Sequence, residues 1–328
     1  MWLRSADRVW IRLARFPAAT FDELFEGTKA VPFGDLFPRD ATFPVDAMSH
    51  GSQLTSLPAC QAIVKKAAVE SMKRKHRVDW FAETGPTHRI RASIVNDVCT
   101  LALDTSGAGL HKRGYRTLTA EAPLRETLAA GMVLLSVWNA ERAFADPFCG
   151  SGTIAIEAAF IGLKRAPGLC REFASEHWPM VGRKRWAAVR AEAEEMFDRA
   201  TKLAIHGSDV DGDVLKMARY HLKAAGLDER GIFFERKDAT EFRSQKKYGV
   251  MVTNPPYGER LSERREIEPI YRAFGKAAAA LDTWSIYVLT THPSFDRLFG
   301  QSVVRKRKLY NGLLPCTYYQ FVGPKPKT

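Results

Sequence analysis

The sequence predicts an α/β chain in which a small α+β module precedes a doubly wound, mostly parallel sheet. Three observations carry this. Beyond residue 123, strand-length apolar runs alternate with helix-length runs, the pattern left by crossover connections in a parallel sheet. A Gly-rich turn, Asp146-Pro147-Phe148-Cys149-Gly150-Ser151-Gly152-Thr153, joins one such strand to its helix. The apolar run 248–253 ends on Asn254-Pro255-Pro256-Tyr257, where two prolines remove backbone donors and fix φ. A buried strand therefore stops on a rigid turn, at the strand end where open α/β sheets place their ligands.

Residues 1–104 are expected to form the α+β module. Residues 9–13 alternate weakly. A helix is expected over 58–76, with Pro58 in its first turn, apolar Ile63, Val64, Ala67, Ala68 and Met72, and a basic end that suits the helix dipole. Strands 89–94 and 98–103 flank an Asn96-Asp97 turn, a hairpin signal. The Gly/Ser stretch Thr105-Ser106-Gly107-Ala108-Gly109 marks the boundary, so the second domain is expected over 105–328. Its elements read as helix 123–138, strand 143–145, helix 153–163, strand 203–207, helix 214–225 closed by Gly226, strand 232–235, strand 250–253, helix 268–281 and strand 286–290. Between Gly162 and the second of these strands lie about 40 residues with Trp178 and Trp186, including a candidate amphipathic helix over 186–202.

Composition bounds the function. With 328 residues, 45% hydrophobic and 26% charged, the chain can bury a sizeable core in two domains. No apolar run approaches the roughly 18 residues of a membrane span, and Asp7 interrupts any leader-like start. Five scattered cysteines without a Cys-x-x-Cys pair argue against zinc and disulfides and fit a reducing cytoplasm. The net charge is +12 and uneven: residues 1–104 hold 14 Lys/Arg against 12 Asp/Glu, leaving 35 against 25 for the rest. Clusters at Lys73-Arg74-Lys75, Arg183-Lys184-Arg185 and Arg305-Lys306-Arg307-Lys308 tilt the reading toward a nucleic-acid partner, although each alone suits a solvated face. The run Leu110-His111-Lys112-Arg113-Gly114-Tyr115-Arg116 suits either a linker or a phosphate contact.

The motifs carry the chemistry. Gly150 and Gly152 let backbone approach a ligand, and the helix behind them offers free N–H groups to a carboxylate. Asp146 can accept from an ammonium or hydroxyl. Asp209, at the next strand end, is placed for two ribose hydroxyls, with Asp211 or Asp213 capping the following helix. Asp209 stands 57 residues after Gly152, too far for a minimal dinucleotide-binding unit. Asp238 can accept from an adenine amino group or cap a turn. Asn254 and the Pro255 carbonyl offer acceptors to an NH2 group, and Tyr257 offers a stacking face. Cys149 lies in the ligand loop and is not read as a nucleophile.

The loop at 146–153 together with the 254–257 turn resembles S-adenosylmethionine-dependent amino-group methyltransferases of nucleic acids. The match narrows over Ser106–Arg116, Ala122–Ala130, Arg165–Leu169 and Asn254-Pro-Pro-Tyr-Gly-Glu-Arg260, which resemble the RlmL family of THUMP-domain 23S rRNA guanine-N2-methyltransferases along essentially the whole chain. The resemblance implies a Rossmann-like methyltransferase domain behind a THUMP-containing RNA-binding module. It implies S-adenosyl-L-methionine at Asp146, Pro147, Phe148, Cys149, Gly150, Gly152, Thr153, Asp209 and Asp238. Catalysis is expected at Asn254, Pro255, Pro256 and Tyr257, and the basic clusters give Lys73, Arg74, Lys75, Lys112, Arg113 and Arg116 as the expected RNA contacts. The expected partner is 23S rRNA or a large-subunit precursor. Family members usually carry a further N-terminal segment, so the module is expected to be shortened, with a start codon upstream. Methylation of guanine N2 in tRNA, a DNA adenine-N6 activity and a non-catalytic RNA-binding role are the alternatives.

Overall fold

Strand ends and caps set the elements. A computed structural model describes residues 1–118, 124–228, 230–257 and 261–326, with side chains of 261–264 excepted. Pro123 and the Gly258-Glu259-Arg260 stretch lie outside the described residues. The chain forms two units. One comprises Ala6–Leu110 with Glu172–Ala191, the other Met1–Ser5, His111–Arg171 and Glu192–Thr328.

The first unit contains β1 (Trp10–Pro17), α1 (Phe21–Lys29), the single turn α2 (Phe33–Leu36), β2 (Val45–His50), α3 (Leu57–His76), β3 (Ile90–Val95) and β4 (Val98–Asp104). Its sheet runs β1-β4-β3-β2. The β3–β4 hairpin turns at Asn96 and Asp97, both with positive φ (50° and 59°), the conformation a type I′ turn requires. α3 buries Cys60, Val64, Ala67, Ala68 and Met72 and ends in Lys73, Arg74, Lys75 and His76. The segment 172–191, which the sequence places late in the chain, belongs to this unit. Trp178 is 1% exposed, stacks on His88 at 4.8 Å and donates Nε1–H to the Thr87 carbonyl at 2.9 Å.

The second unit carries α4 (Glu126–Leu134), β5 (Phe144–Asp146), α5 (Thr153–Gly162), β6 (Ile205–Asp209), α7 (Gly212–Ala224), β7 (Ile232–Arg236), β8 (Val250–Thr253), α8 (Leu261–Ala279), β9 (Ser285–Thr290), the short α9 (Phe295–Phe299), β10 (Arg305–Asn311) and β11 (Leu314–Phe321). α6 (Arg183–Glu195) precedes β6. The seven-stranded sheet runs β10-β11-β9-β8-β5-β6-β7; β5 to β9 are mutually parallel and β10 and β11 antiparallel. β9 is buried along its whole length, as a central parallel strand must be. After β5 the chain moves outward to β6 and β7, then returns to β8 on the other side, which puts a topological switch point beside β5.

Two helices are shorter than their periodicity predicts. The helix expected over 123–138 ends at Leu134, where the Ser136 hydroxyl donates to the Val133 carbonyl and accepts from the Trp138 N–H. The helix expected over 186–202 spans Arg183–Glu195; beyond it the Asp198 carboxylate accepts from the Ala200 and Thr201 amides, a side-chain turn that competes with helix. The terminal hairpin β10–β11 carries the basic run 305–308, which as a charge cluster gave no strand signal. Among the described residues no helix is long and apolar enough to cross a membrane.

Candidate active site

Three parallel strands end side by side at the switch point and deliver the site. β5 delivers Asp146, β6 delivers Asp209 and β8 delivers Asn254 immediately after Thr253. The loop after β5 is tied to β6 from below: the Cys149 N–H donates to the Ser208 carbonyl and the Gly150 N–H to Asp209 Oδ2, both at 2.9 Å. Gly152 caps α5 with φ +84°, and a Cβ there would stand 2.9 Å from the Phe234 ring. The turn therefore needs glycine for both its conformation and its packing.

A cavity of about 480 Å³ opens over this edge, within the range of small-ligand sites. Among the residues expected to bind or react, Asp146, Pro147, Phe148, Cys149, Gly150, Thr153, Asp209, Asp238, Asn254 and Pro256 line it. Gly152, Pro255 and Tyr257 do not. Val210, Val214 and Ile270 add apolar walls that no motif announces. Val210 is 56% exposed directly after the acidic strand end of β6.

Asp146 is a buried acid with one oxygen unpartnered among the described residues. It is 1% exposed; Oδ1 accepts from the Thr253 hydroxyl at 2.6 Å and the Phe148 N–H at 3.3 Å, while Oδ2 has no partner among the described residues. Burial pushes its carboxyl up to about 7, against the two hydrogen bonds, with the Asp209 charge adding to the rise. An orphaned buried acceptor beside a cavity fits a ligand that brings a donor, as the amino-acid end of S-adenosylmethionine does. Asp209 keeps Oδ2 on Gly150 and Oδ1 on the Asp211 N–H, each oxygen retaining a second lone pair for a hydroxyl. Asp211 caps α7. Asp238 caps a short 3-10 turn, its Oδ1 accepting from the Thr240 N–H and hydroxyl. Cys149 is buried and its thiol is pushed well up, first by burial and then by Asp146 and Asp209, so it is not a nucleophile.

Tyr257, in the turn after β8, is half-buried: its ring packs on the core that also takes Leu309 and Leu314, and its hydroxyl donates to Asn254 Oδ1. Burial raises the phenol well above its usual range, which keeps it a donor. Pro255 is buried, and the Pro256 carbonyl accepts from the Tyr271 hydroxyl at 2.6 Å. Tyr271 also meets the Thr290 hydroxyl at 3.0 Å. Thr253 and Tyr271 hold the site together, and nothing in their sequence context distinguishes them from core residues.

Two expected RNA contacts are corrected. Arg113 is 2% exposed; its Nε donates to Glu157 Oε1 at 3.1 Å and its Nη atoms reach the Leu3 and Arg4 carbonyls. Arg116 pairs with Glu126 at 3.0 Å and donates to the Leu124 carbonyl and the Thr153 hydroxyl. Both are internal struts, since a buried cation is retained only where acceptors surround it. Lys112 and Arg74 are exposed. Lys73 and Lys75 pair with Glu70 at 3.1 Å and Asp35 at 2.9 Å, surface pairs too weak to bar a phosphate.

Comparison with known proteins agrees with this architecture. Residues 113–320 match the family model described as RMKL-like, methyltransferase domain, and residues 18–104 match the THUMP domain. The chain is 45% identical over 98% of its length to YpsC of Bacillus subtilis, provisionally named an RNA methyltransferase, and covers 84% of it. It is 32% identical over 99% of its length to the ribosomal RNA large subunit methyltransferase K/L of Psychromonas ingrahamii, and spans 44% of that longer protein. A crystal structure from Listeria monocytogenes, provisionally described as an N6-adenine-specific DNA methylase, matches with a TM-score of 0.93 at 46% identity, over 98% of this chain and 84% of that one. SMU.472, provisionally described as a methyltransferase and solved with SAH, matches with a TM-score of 0.94 at 42% identity, over 100% of this chain and 87% of that one.

Proposed function

The chain belongs to the RMKL-like methyltransferases that carry a THUMP domain, and from that premise we propose that it methylates the exocyclic N2 amine of a guanine in 23S rRNA with S-adenosyl-L-methionine as donor. The observation that carries the reading is the Asn254 amide. It lies at a strand end on the cavity wall, on a rigid Pro-Pro turn, with Asp146 on the adjacent strand and Asp209 on the strand beyond it.

The cofactor, when bound, supplies an electrophilic methyl group on a sulfonium. The protein supplies position. Asp146 Oδ2 would accept from the ammonium, Asp209 from the ribose hydroxyls and Asp238 from the adenine amino group. Asn254 Oδ1 would accept from the guanine NH2, whose lone pair is delocalised into the ring and makes it a poor nucleophile. Holding that amine by its hydrogens favours pyramidalisation, and the methylated amine is acidic enough to lose a proton without a dedicated base. A target base within a helix must first leave the stack, at a cost of a few kcal/mol.

The SAH-bound relative supports the cofactor, and the K/L name supports ribosomal RNA as substrate. The turn itself serves any exocyclic amine. The test is therefore nucleoside mass spectrometry after incubation of the protein and cofactor with large-subunit RNA, tRNA and DNA from cells lacking the gene. N2-methylguanosine in the large-subunit RNA is expected. Product confined to tRNA, or N6-methyladenine in DNA, overturns the reading.

A further inference from the structure

We infer that the β10–β11 hairpin is a wedge that opens an RNA helix beside the target base, with Leu313 and Tyr310 entering the stack and strand β10 lying on phosphates. The inference rests on the RNA substrate proposed above.

Register places the tip. Thr317 of β11 pairs with Thr290, the last residue of β9, so residues 311–316 run past the carboxyl edge of the parallel strands. That edge carries Asp146, Asp209 and Asn254. The sheet order puts the hairpin on the β8–β9 side, away from Asp209 and Asp238, so it flanks the acceptor side of the site. Its base is anchored. The Tyr318 hydroxyl donates to the Met132 carbonyl at 2.8 Å, and Leu309 and Leu314 share the core on which Tyr257 packs. Arg125 Nη2 lies 4.0 Å from where a Cβ on Gly312 would stand, next to Leu124 of the cavity wall.

The tip itself is unlike a folding turn. Asn311 pairs with Leu314, leaving Gly312 and Leu313 as the loop. Gly312, at φ +66°, supplies what a two-residue loop needs at its first position. The second position requires no leucine, yet Leu313 is there and 98% exposed. Tyr310 is 53% exposed, with Lys308 Nζ 5.3 Å above its ring. An apolar tip on a strand reading Arg305-Lys306-Arg307-Lys308 suits a polyanion with stacked bases: apolar wedges part base steps, aromatic rings stack on bases and cations follow phosphates. Lys306 is held by Asp296 at 2.7 Å; Arg305 and Lys308 are exposed on the strand.

The test compares the full chain with Leu313→Ala, a change at a site whose exposure leaves folding intact, verified by thermal melting. Methyl incorporation into folded 23S rRNA is measured alongside fluorescence of an RNA duplex with a central 2-aminopurine, which brightens when unstacked. Wild-type protein should brighten the duplex. L313A should bind it within twofold, fail to brighten it, and lose about tenfold in kcat/KM on folded rRNA, with cofactor affinity unchanged. L313A methylating folded rRNA at the wild-type rate overturns the wedge and leaves the proposed function standing. An equal fall in duplex affinity and rate overturns it too, by making the tip a docking contact. No methyl transfer to any RNA by the wild-type protein removes the proposed function itself.

Discussion

The Tyr257 hydroxyl donates to Oδ1 of Asn254, so one residue of the turn fixes the amide of another three positions earlier. An amide oxygen has two lone pairs, and the bond leaves one for a substrate amine while setting the orientation of the group. Tyr257→Phe frees that rotation. We expect kcat to fall about tenfold with KM for RNA and cofactor affinity within twofold, the signature of lost alignment rather than lost binding. An unchanged kcat would remove the hydroxyl from the alignment of Asn254.

Asn254→Ala removes the acceptor itself. Methyl transfer is expected to fall by about 10²-fold or more, the scale set by deleting one preorganised hydrogen-bonding group from an active site. Isothermal titration should show cofactor binding nearly unchanged. Unaltered turnover in a tritiated-methyl assay would remove Asn254 from the mechanism.

Asp146 predicts a pH dependence. Its folded-state pKa, about 7, lies above the carboxyl value of 3.8, so the folded protein holds the proton more tightly than the unfolded chain. The stability linked to this group is complete below about pH 4 and is lost as pH rises through about 7. Asp146→Asn, neutral throughout, should lack that loss, and the two melting curves should converge or cross within this window. A ligand ammonium favours the ionised form, so cofactor affinity of the wild-type protein should rise through the same interval. Parallel pH profiles for the two proteins would show that Asp146 does not titrate there.

Arg113 is predicted to matter for folding and not for RNA. Arg113→Ala leaves Glu157 buried without its partner and should cost about 3–5 kcal/mol in denaturant melts. Replacing both with methionine should recover most of that loss. Lys112→Ala, at an exposed neighbour, should change stability by less than about 0.5 kcal/mol and weaken RNA binding in a salt-dependent way.

Trp178→Ala should destabilise the first unit by about 3–5 kcal/mol, because a fully buried ring stacked on His88 leaves a cavity that the neighbours cannot fill. Hydrogen exchange should show the loss in β3 and β4 before the methyltransferase sheet. Equal loosening of both units would contradict the assignment of this segment.

The site was legible in the sequence where its chemistry is local. A strand that ends on Asn254-Pro255-Pro256 announces itself, because proline cannot continue a ladder, and Gly150 and Gly152 announce a backbone approach, because no other residue takes those conformations cheaply. Acids at strand ends 146 and 209 follow from the same parallel pattern. The roles of Tyr257, Arg113 and Trp178 were not legible. A tyrosine beside a turn can stack outward or bond inward, an arginine in a basic run looks the same paired with Glu157 or bare, and a tryptophan in a long insertion does not say which core it enters. The sequence by itself determined the alternation of strands and helices between 143 and 290 and the donors and acceptors at the strand ends, since these depend on neighbours along the chain. Only the tertiary structure decided which groups are held, which are buried, and that the hairpin tip at Leu313 stands beyond the sheet edge, since these depend on atoms brought together from segments more than a hundred residues apart, such as Tyr318 on Met132 and Thr253 on Asp146.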